Sequence, residues 1–233
     1  MGTVLGIDTS STDLSVGLYK DGAPVASFTR YIGNSHAEHI GPVVRTMLQS
    51  LSEEVPDRIA AAVGPGSFTG LRIGISFIKG YCTAVAAPVL PLSSLFILAH
   101  VAQRPPGRIA AAIDGRNDTV YWAFFSRSNN VITSLSEDRV TPVAEFMAAL
   151  EPRDTIVTDT VGYTKSTAFS SLDKNYTVLA VESNPLSRGL LCAAAGDAAF
   201  HEESKWVKAR ELRPNYLRAF ASLRQTATER GSR

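Results

Sequence analysis

The sequence predicts an α/β protein of two duplicated lobes with mixed sheets, and three observations carry that expectation. Three strand-like segments joined by short turns open the chain, and three more open its second half. A proline- and glycine-rich stretch, QRPPGR at 103–108, separates the halves and interrupts both helical and strand periodicity. Gly6-Ile7-Asp8 in the first half has a counterpart in Ala112-Ile113-Asp114 in the second. An antiparallel meander leading into alternating helices and strands implies a mixed sheet in each lobe. The expected domains are therefore residues 1–102 and residues 103–233, the second ending in a basic tail.

In the first lobe, Val4–Asp8, Leu14–Tyr19 and Val25–Arg30 read as consecutive strands, the second turn carrying the hairpin dipeptide Asp21-Gly22. A helix begins near His36, introduced by a capping box at Ser35 and Glu38. Its apolar residues Ile40, Val43, Val44, Met47, Leu48 and Leu51 recur at helical spacing, and Pro42 should kink it or split off its first turn. A buried-type strand follows at Ile59–Val63, then a glycine-rich loop, a helix from about Gly70 to Ala86, and a short strand at Val89–Pro91. Ser93 or Ser94 caps a third helix through His100. In the second lobe the strands are Ile109–Ile113, Val120–Phe125 and Val131–Leu135. Pro142–Leu150, the strand Thr155–Thr158 and a helix over Leu186–Phe200 complete it.

With 233 residues, 45% of them hydrophobic, and a formal net charge of +1, the chain can bury a proper core and carries no strongly basic or acidic global field. Cys82 and Cys192, the two cysteines, lie in apolar helical surroundings and read as buried thiols of a reducing compartment. The chain opens directly into strand-like VLGI, so no signal peptide is expected, and no apolar run is long enough to cross a bilayer. The expected location is the cytoplasm, with no membrane partner.

GPGSFTGLRIG at 64–74 invites comparison with phosphate-binding loops. It lacks the lysine of a P-loop, and its third glycine falls one residue late for a dinucleotide fingerprint. No Asp or Glu occurs between Arg58 and Asp114 to hold a ribose. The helix after it is more telling. Leu71, Ile75, Ile78, Cys82 and Val85 form one apolar stripe, and Ile73, Phe77, Tyr81 and Ala84 a second. Arg72, Ser76, Lys79 and Thr83 leave only a narrow polar strip. Such a helix is buried on two sides, and Gly70, Gly74 and Gly80 let a neighbouring backbone come close. That neighbour is either the Ile40–Leu51 helix of the same lobe or a partner subunit.

Asp8, Ser10 and Ser11 form a strand-ending acid followed by hydroxyls on a tight turn, able to offer amides and oxygens to phosphates or simply to close a hairpin. With Asp114 ending the equivalent strand, the two acids are expected to face each other across a cleft between lobes, the usual arrangement for nucleotide binding in duplicated actin-like folds. The absence of any Gly-Gly pair argues against a glycine-rich adenosine loop. His36 and His39 share a helical face but are too few for zinc, so no metal site is expected. KWVKARELRPNYLRAFASLRQ at 205–225 interleaves basic and aromatic residues; it could touch RNA, but it reads first as a solvated amphipathic tail.

GIDTSSTDLSVGL, NSHAEHIGPVV, VGPGSFTGLRIGISFIKG, AIDGRNDTVYWAFF and the late LRPNYLR together resemble the TsaB (YeaZ) family over most of the chain. Gly115 departs from the pattern, where alanine is expected. The resemblance implies the actin-like, ribonuclease H-like (ASKHA) fold and a role in placing threonylcarbamoyl on an adenosine of tRNA. It implies a partner, the catalytic paralogue TsaD, joined by the ATPase TsaE, with tRNA met through the complex. TsaD holds its metal through a His-x-x-x-His motif; His36 and His39 have different spacing and position, so the metal role does not transfer. The chain itself is then non-catalytic and needs no cofactor of its own, ATP or ADP lying at most at the complex interface through Asp8, Ser10, Ser11 and Asp114. Its partner surface would comprise His36, His39, Ile40, Val43, Met47, Arg72, Ile73, Ser76, Phe77 and Gly80, and would form a homodimer when the protein is alone. The rivals are a stand-alone actin-like ATPase or small-molecule kinase, and a direct tRNA-binding module.

Overall fold

The computed structural model describes residues 2–50, 55–102, 107–128, 131–158, 176–180 and 187–217. Along the first half run β1 (Thr3–Asp8), β2 (Asp13–Lys20), β3 (Ala23–Tyr31), α1 (His36–Ser50), β4 (Arg58–Gly64), α2 (Phe68–Ala84), β5 (Val89–Ser93) and α3 (Ser94–Ala99). The second half adds β6 (Gly107–Arg116), β7 (Thr119–Ser128), β8 (Val131–Ser134), β9 (Arg139–Pro142), α4 (Val143–Ala149), β10 (Thr155–Thr158), β11 (Thr177–Ala180) and α5 (Arg188–Ala198).

The first sheet has the order β3-β2-β1-β4-β5. β1, β2 and β3 pair antiparallel, whereas β4 runs parallel to both β1 and β5. The second sheet repeats this scheme as β8-β7-β6-β10-β11, with the same senses of pairing. The duplication expected from the strand pattern is therefore present in the topology, which is that of ribonuclease H-like, actin-like lobes. β9 is an addition: it pairs with β7 at Thr119–Trp122, whereas β8 pairs with β7 at Phe125–Ser128.

Two compact units result, Met1–Ile97 with Asn184–Pro214, and Leu98–Ser183 with Asn215–Arg233. The contiguous division expected after residue 102 is thus incomplete, because residues 184–214 return to the first unit. Glycine contacts explain the return. A Cβ on Gly17 would lie 2.3 Å from Leu190 Cα, one on Gly6 would lie 2.0 Å from the Gly189 carbonyl oxygen, and one on Gly189 would lie 2.5 Å from the Val16 nitrogen. Bare backbone on both sides lets α5 lie directly on β1 and β2. Ser187 Oγ caps it by accepting from Leu190 N at 3.0 Å, and Gly189 N donates to Ser15 Oγ at 2.8 Å.

The first core joins Leu5, Ile7, Leu14 and Val16 of the sheet to Ile40, Val44, Met47 and Leu48 of α1 and to Ile75 and Ile78 of α2. β1 is buried along its whole length, as expected of a strand covered on both faces, while β3 is an exposed edge. α1 runs unbroken through Pro42; the missing amide removes one bond in the second turn and the exposed ring meets water. The capping box does not form. Ser35 Oγ donates instead to the Ile32 carbonyl at 2.7 Å, tightening the turn before α1.

The segment 205–214 is not a solvated tail. Trp206, Ala209 and Leu212 are buried, the last two in the first core, and Val207 bridges to Val89 of β5. Arg58 sits between the rings of Phe200 and Trp206, 4.6 and 4.7 Å from their centroids, and pairs with Glu203. The tail beyond residue 217 lies outside the described residues, as does the boundary stretch 103–106. In the second unit Trp122 and Phe146 centre the core at 5.6 Å between rings, and the Trp122 indole N–H donates to Thr141 Oγ1 at 2.9 Å. Among the described residues no helix is long and apolar enough to cross a membrane.

Candidate functional site

β1 ends at Asp8, and the turn that follows is held by its own side chains. Asp8 is 2% exposed, and its Oδ1 accepts from the Ser10 amide at 2.7 Å and from Ser10 Oγ at 2.6 Å. Its Oδ2 lies 2.7 Å from Arg188 Nε, in the first turn of α5. Arg188 Nη2 donates to Ser10 Oγ at 2.8 Å, which closes a buried triangle of carboxylate, hydroxyl and guanidinium. Ser11 Oγ accepts from the Asp13 amide at 3.2 Å. The acid and both hydroxyls singled out from the sequence therefore all have partners inside the chain. Beneath them lies Cys192, whose thiol is pushed well up by burial and by the neighbouring Asp8 charge, so it stays protonated. Cys82 is only half buried, and burial raises its thiol too.

The glycine loop packs on this same turn. A Cβ on Gly66 would meet the Ser10 carbonyl oxygen at 2.3 Å, and Cβ atoms on Gly70 and Gly74 would meet Thr9 O at 2.1 Å and Thr9 Oγ1 at 2.3 Å. Gly64 has φ 110°, a backbone open to glycine alone among common residues. Ser67 N donates to the Ser10 carbonyl at 2.7 Å, and Ser67 Oγ caps α2 by accepting from Gly70 N. The close neighbour beside Gly70 and Gly74 is thus the β1–β2 turn of the same unit, in place of the Ile40–Leu51 helix or partner subunit that the sequence led one to expect. Gly80 alone of these glycines has no atom within 4 Å of an added Cβ.

Three of the ten expected surface residues belong to the interior. Ile40 and Met47 are core residues 2% and 7% exposed, and His36 is 3% exposed with Nε2 3.3 Å from the Asp13 carbonyl oxygen. Helical periodicity marks these as apolar-face residues but cannot say which of two covering layers claims them. His39, Val43, Ile73 and Phe77 are half buried, while Arg72, Ser76 and Gly80 are exposed. Val43 and Phe77 also lean on the core, and Phe77 stacks on Tyr81 at 5.8 Å. The outer side of α2 adds a residue the sequence reading left out. Phe68 is 54% exposed, with the Arg72 guanidinium 4.0 Å above its ring. The helix starts at Phe68 and not at Gly70, because Ser67 caps it; a serine before the apolar stripes is the sequence signal for that earlier start.

Asp114 lies in the second unit and its Oδ1 accepts from the Arg116 amide at 2.9 Å, supporting a hairpin in which Arg116, Asn117 and Asp118 all have positive φ. Gly115 suits this hairpin, since a Cβ there would meet Thr119 Oγ1 at 2.6 Å. Arg188, which no sequence pattern marks, is the buried cation beside the Asp8 turn. A cation in the first turn of a helix opposes the macrodipole, and here the buried Asp8 carboxylate offsets it. Among the described residues no group of three or more His, Cys, Asp or Glu side chains is placed to hold a metal.

The family model described as TsaD, tRNA N6-adenosine threonylcarbamoyltransferase, matches residues 30–219. The chain is 29% identical over 154 residues to the tRNA threonylcarbamoyladenosine biosynthesis protein TsaB of Bacillus subtilis, a match covering 65% of this chain and 67% of that protein. It is 38% identical over 133 residues to TsaB of Escherichia coli, covering 55% of this chain and 57% of that one. The solved structure of YeaZ from Pseudomonas aeruginosa superposes with a TM-score of 0.76 at 30% identity, over 93% of this chain and 100% of that one.

Proposed function

Because the chain belongs to the TsaB (YeaZ) family of tRNA threonylcarbamoyladenosine biosynthesis, we propose that it serves as a non-catalytic subunit that binds and supports the catalytic paralogue TsaD, with the ATPase TsaE. The observation that carries this reading is the outer side of α2. Phe68, Ile73 and Phe77 present partly exposed apolar surface beside exposed Arg72, Ser76 and Gly80. A bare glycine on an exposed helix face admits the close backbone approach of a partner helix, and half-buried aromatics supply anchors. His39 and Val43 of α1 extend the same surface in this reading, and tRNA is met through the complex. In the absence of TsaD the surface pairs with a second copy.

The non-catalytic part of the reading is supported by the Asp8 turn, whose acid and hydroxyls already have partners within the chain. Reconstitution tests the whole. Threonylcarbamoyl transfer to tRNA is measured with TsaD, TsaE and the adenylate donor, with and without this protein. Dependence on the chain, lost in Gly80→Arg, is the expected result. Full transfer without the chain, or nucleotide turnover by the chain alone, refutes the reading.

A further inference from the structure

The actin-like fold implies a nucleotide, with its metal, at the turn that ends the first strand, and the residues of this chain do not fit one there. We propose that Arg188 is the resident cation of that turn: its guanidinium takes the place that a metal ion and phosphate would need beside Asp8, so the turn binds neither.

The geometry supports this from both partners. Asp8 would have to offer a carboxylate oxygen to a cation, but Oδ2 is held in an ion pair 2.7 Å from Arg188 Nε, without hydrogen-bond geometry, and Oδ1 accepts two hydrogen bonds from Ser10. Ser10 would have to offer its amide or hydroxyl to a phosphate, but the amide is given to Asp8 and the hydroxyl lies between Asp8 and Arg188. All three side chains are buried, at 2%, 4% and 7% exposure, so water does not compete for them. The guanidinium is also fixed in place. Arg188 opens α5, and α5 is seated on β1 and β2 by backbone contacts at Gly6, Gly17 and Gly189. The backbone that carries Arg188 therefore cannot retreat from the turn without lifting α5, and its guanidinium is held there by Asp8 and Ser10. On the opposite side loop residue Gly66 lies against the Ser10 carbonyl, and Gly70 and Gly74 bring α2 against the Thr9 carbonyl and the Thr9 side chain, so the turn is closely packed there as well.

The inference deepens the non-catalytic reading of this turn, yet the two can fail separately, because one is measured by tRNA modification and the other by ligand binding to the protein alone. The test compares full-length wild type, Arg188→Ala, and the neutral double variant Asp8→Asn/Arg188→Met. Each is titrated with MnCl2, with MgATP and with ethylguanidinium, and read by calorimetry and melting temperature. Wild type and the double variant should bind neither Mn2+ nor MgATP, and their melting temperatures should not move. Arg188→Ala should melt below both and recover by about 5 °C with saturating ethylguanidinium or Mn2+. Binding of MgATP or Mn2+ by wild type, abolished in Asp8→Asn, would overturn the proposal. So would an Arg188→Ala protein that folds but responds to no added cation. Should that variant not fold, the wild-type titrations decide the matter together with a double variant that folds without responding to any cation.

Discussion

At the residue scale, backbone contact and charge pairing set the sensitive positions. Gly17→Ala would force a Cβ to within 2.3 Å of Leu190 Cα, where neither strand nor helix can yield cheaply. It should cost about 3 kcal/mol, the upper end of ordinary overpacking, measured by urea denaturation. Gly80→Ala is the opposite case, with nothing within 4 Å of the new methyl in the interior of α2. It should stabilise the isolated protein by roughly 0.5–1 kcal/mol through helix propensity. Truncating either Asp8 or Arg188 alone leaves a buried charge without its partner and should cost about 3–5 kcal/mol, whereas the neutral double variant should lose far less. Glu203 is exposed, and its hydrogen bond and charge interaction with Arg58 lower its carboxyl below the usual range. A carboxyl with a lowered folded value contributes its stability above the unfolded value and loses it as pH falls through the folded one. Glu203→Gln should therefore remove a small acid-side slope from the stability profile and leave the neutral side flat, as melting temperature against pH would record.

At the scale of elements, α2 separates packing from recognition along its length. Its first two turns rest on Thr9, on the carbonyl through Gly70 and on the side chain through Gly74, while Gly80, farther along, opens to solvent. Two probes of pairing therefore differ in cleanness. Phe77→Asp removes a ring that stacks on Tyr81 and leans on the core, so it should weaken the fold as well as any association. Gly80→Arg should leave the melting temperature of the monomer unchanged within about 2 °C while abolishing co-elution with TsaD and self-association, as size-exclusion chromatography would report. The helix and its two-sided apolarity were legible from the stripes through Leu71 and Ile73. Which glycines serve the chain's own turn was not, because 3.6-residue periodicity gives a direction around the helix axis and not the identity of what lies there.

At the scale of the molecule, the first unit is finished by residues distant in sequence. α5 and the segment through Leu212 cover β1, β2, β4 and β5, and they arrive after the whole second sheet has been laid down. A fragment ending at residue 102 would expose the α5 face of β1 and β2 and the contact sites of Trp206 and Leu212. It should aggregate, or lack a cooperative melting transition by circular dichroism, rather than fold as a lobe. The sequence by itself determined the alternation of strands and helices, the duplication of the β-meander and the family signature at 63–80, because periodicity and turn chemistry are local. Only the tertiary structure decided that Arg188 closes on Asp8, that Ile40 and Met47 lie inside, and that the glycines of 66–74 seat the first turn of their own lobe. Those are contacts across long stretches of chain. No local pattern fixes them, because they depend on which layers meet once the sheet is covered.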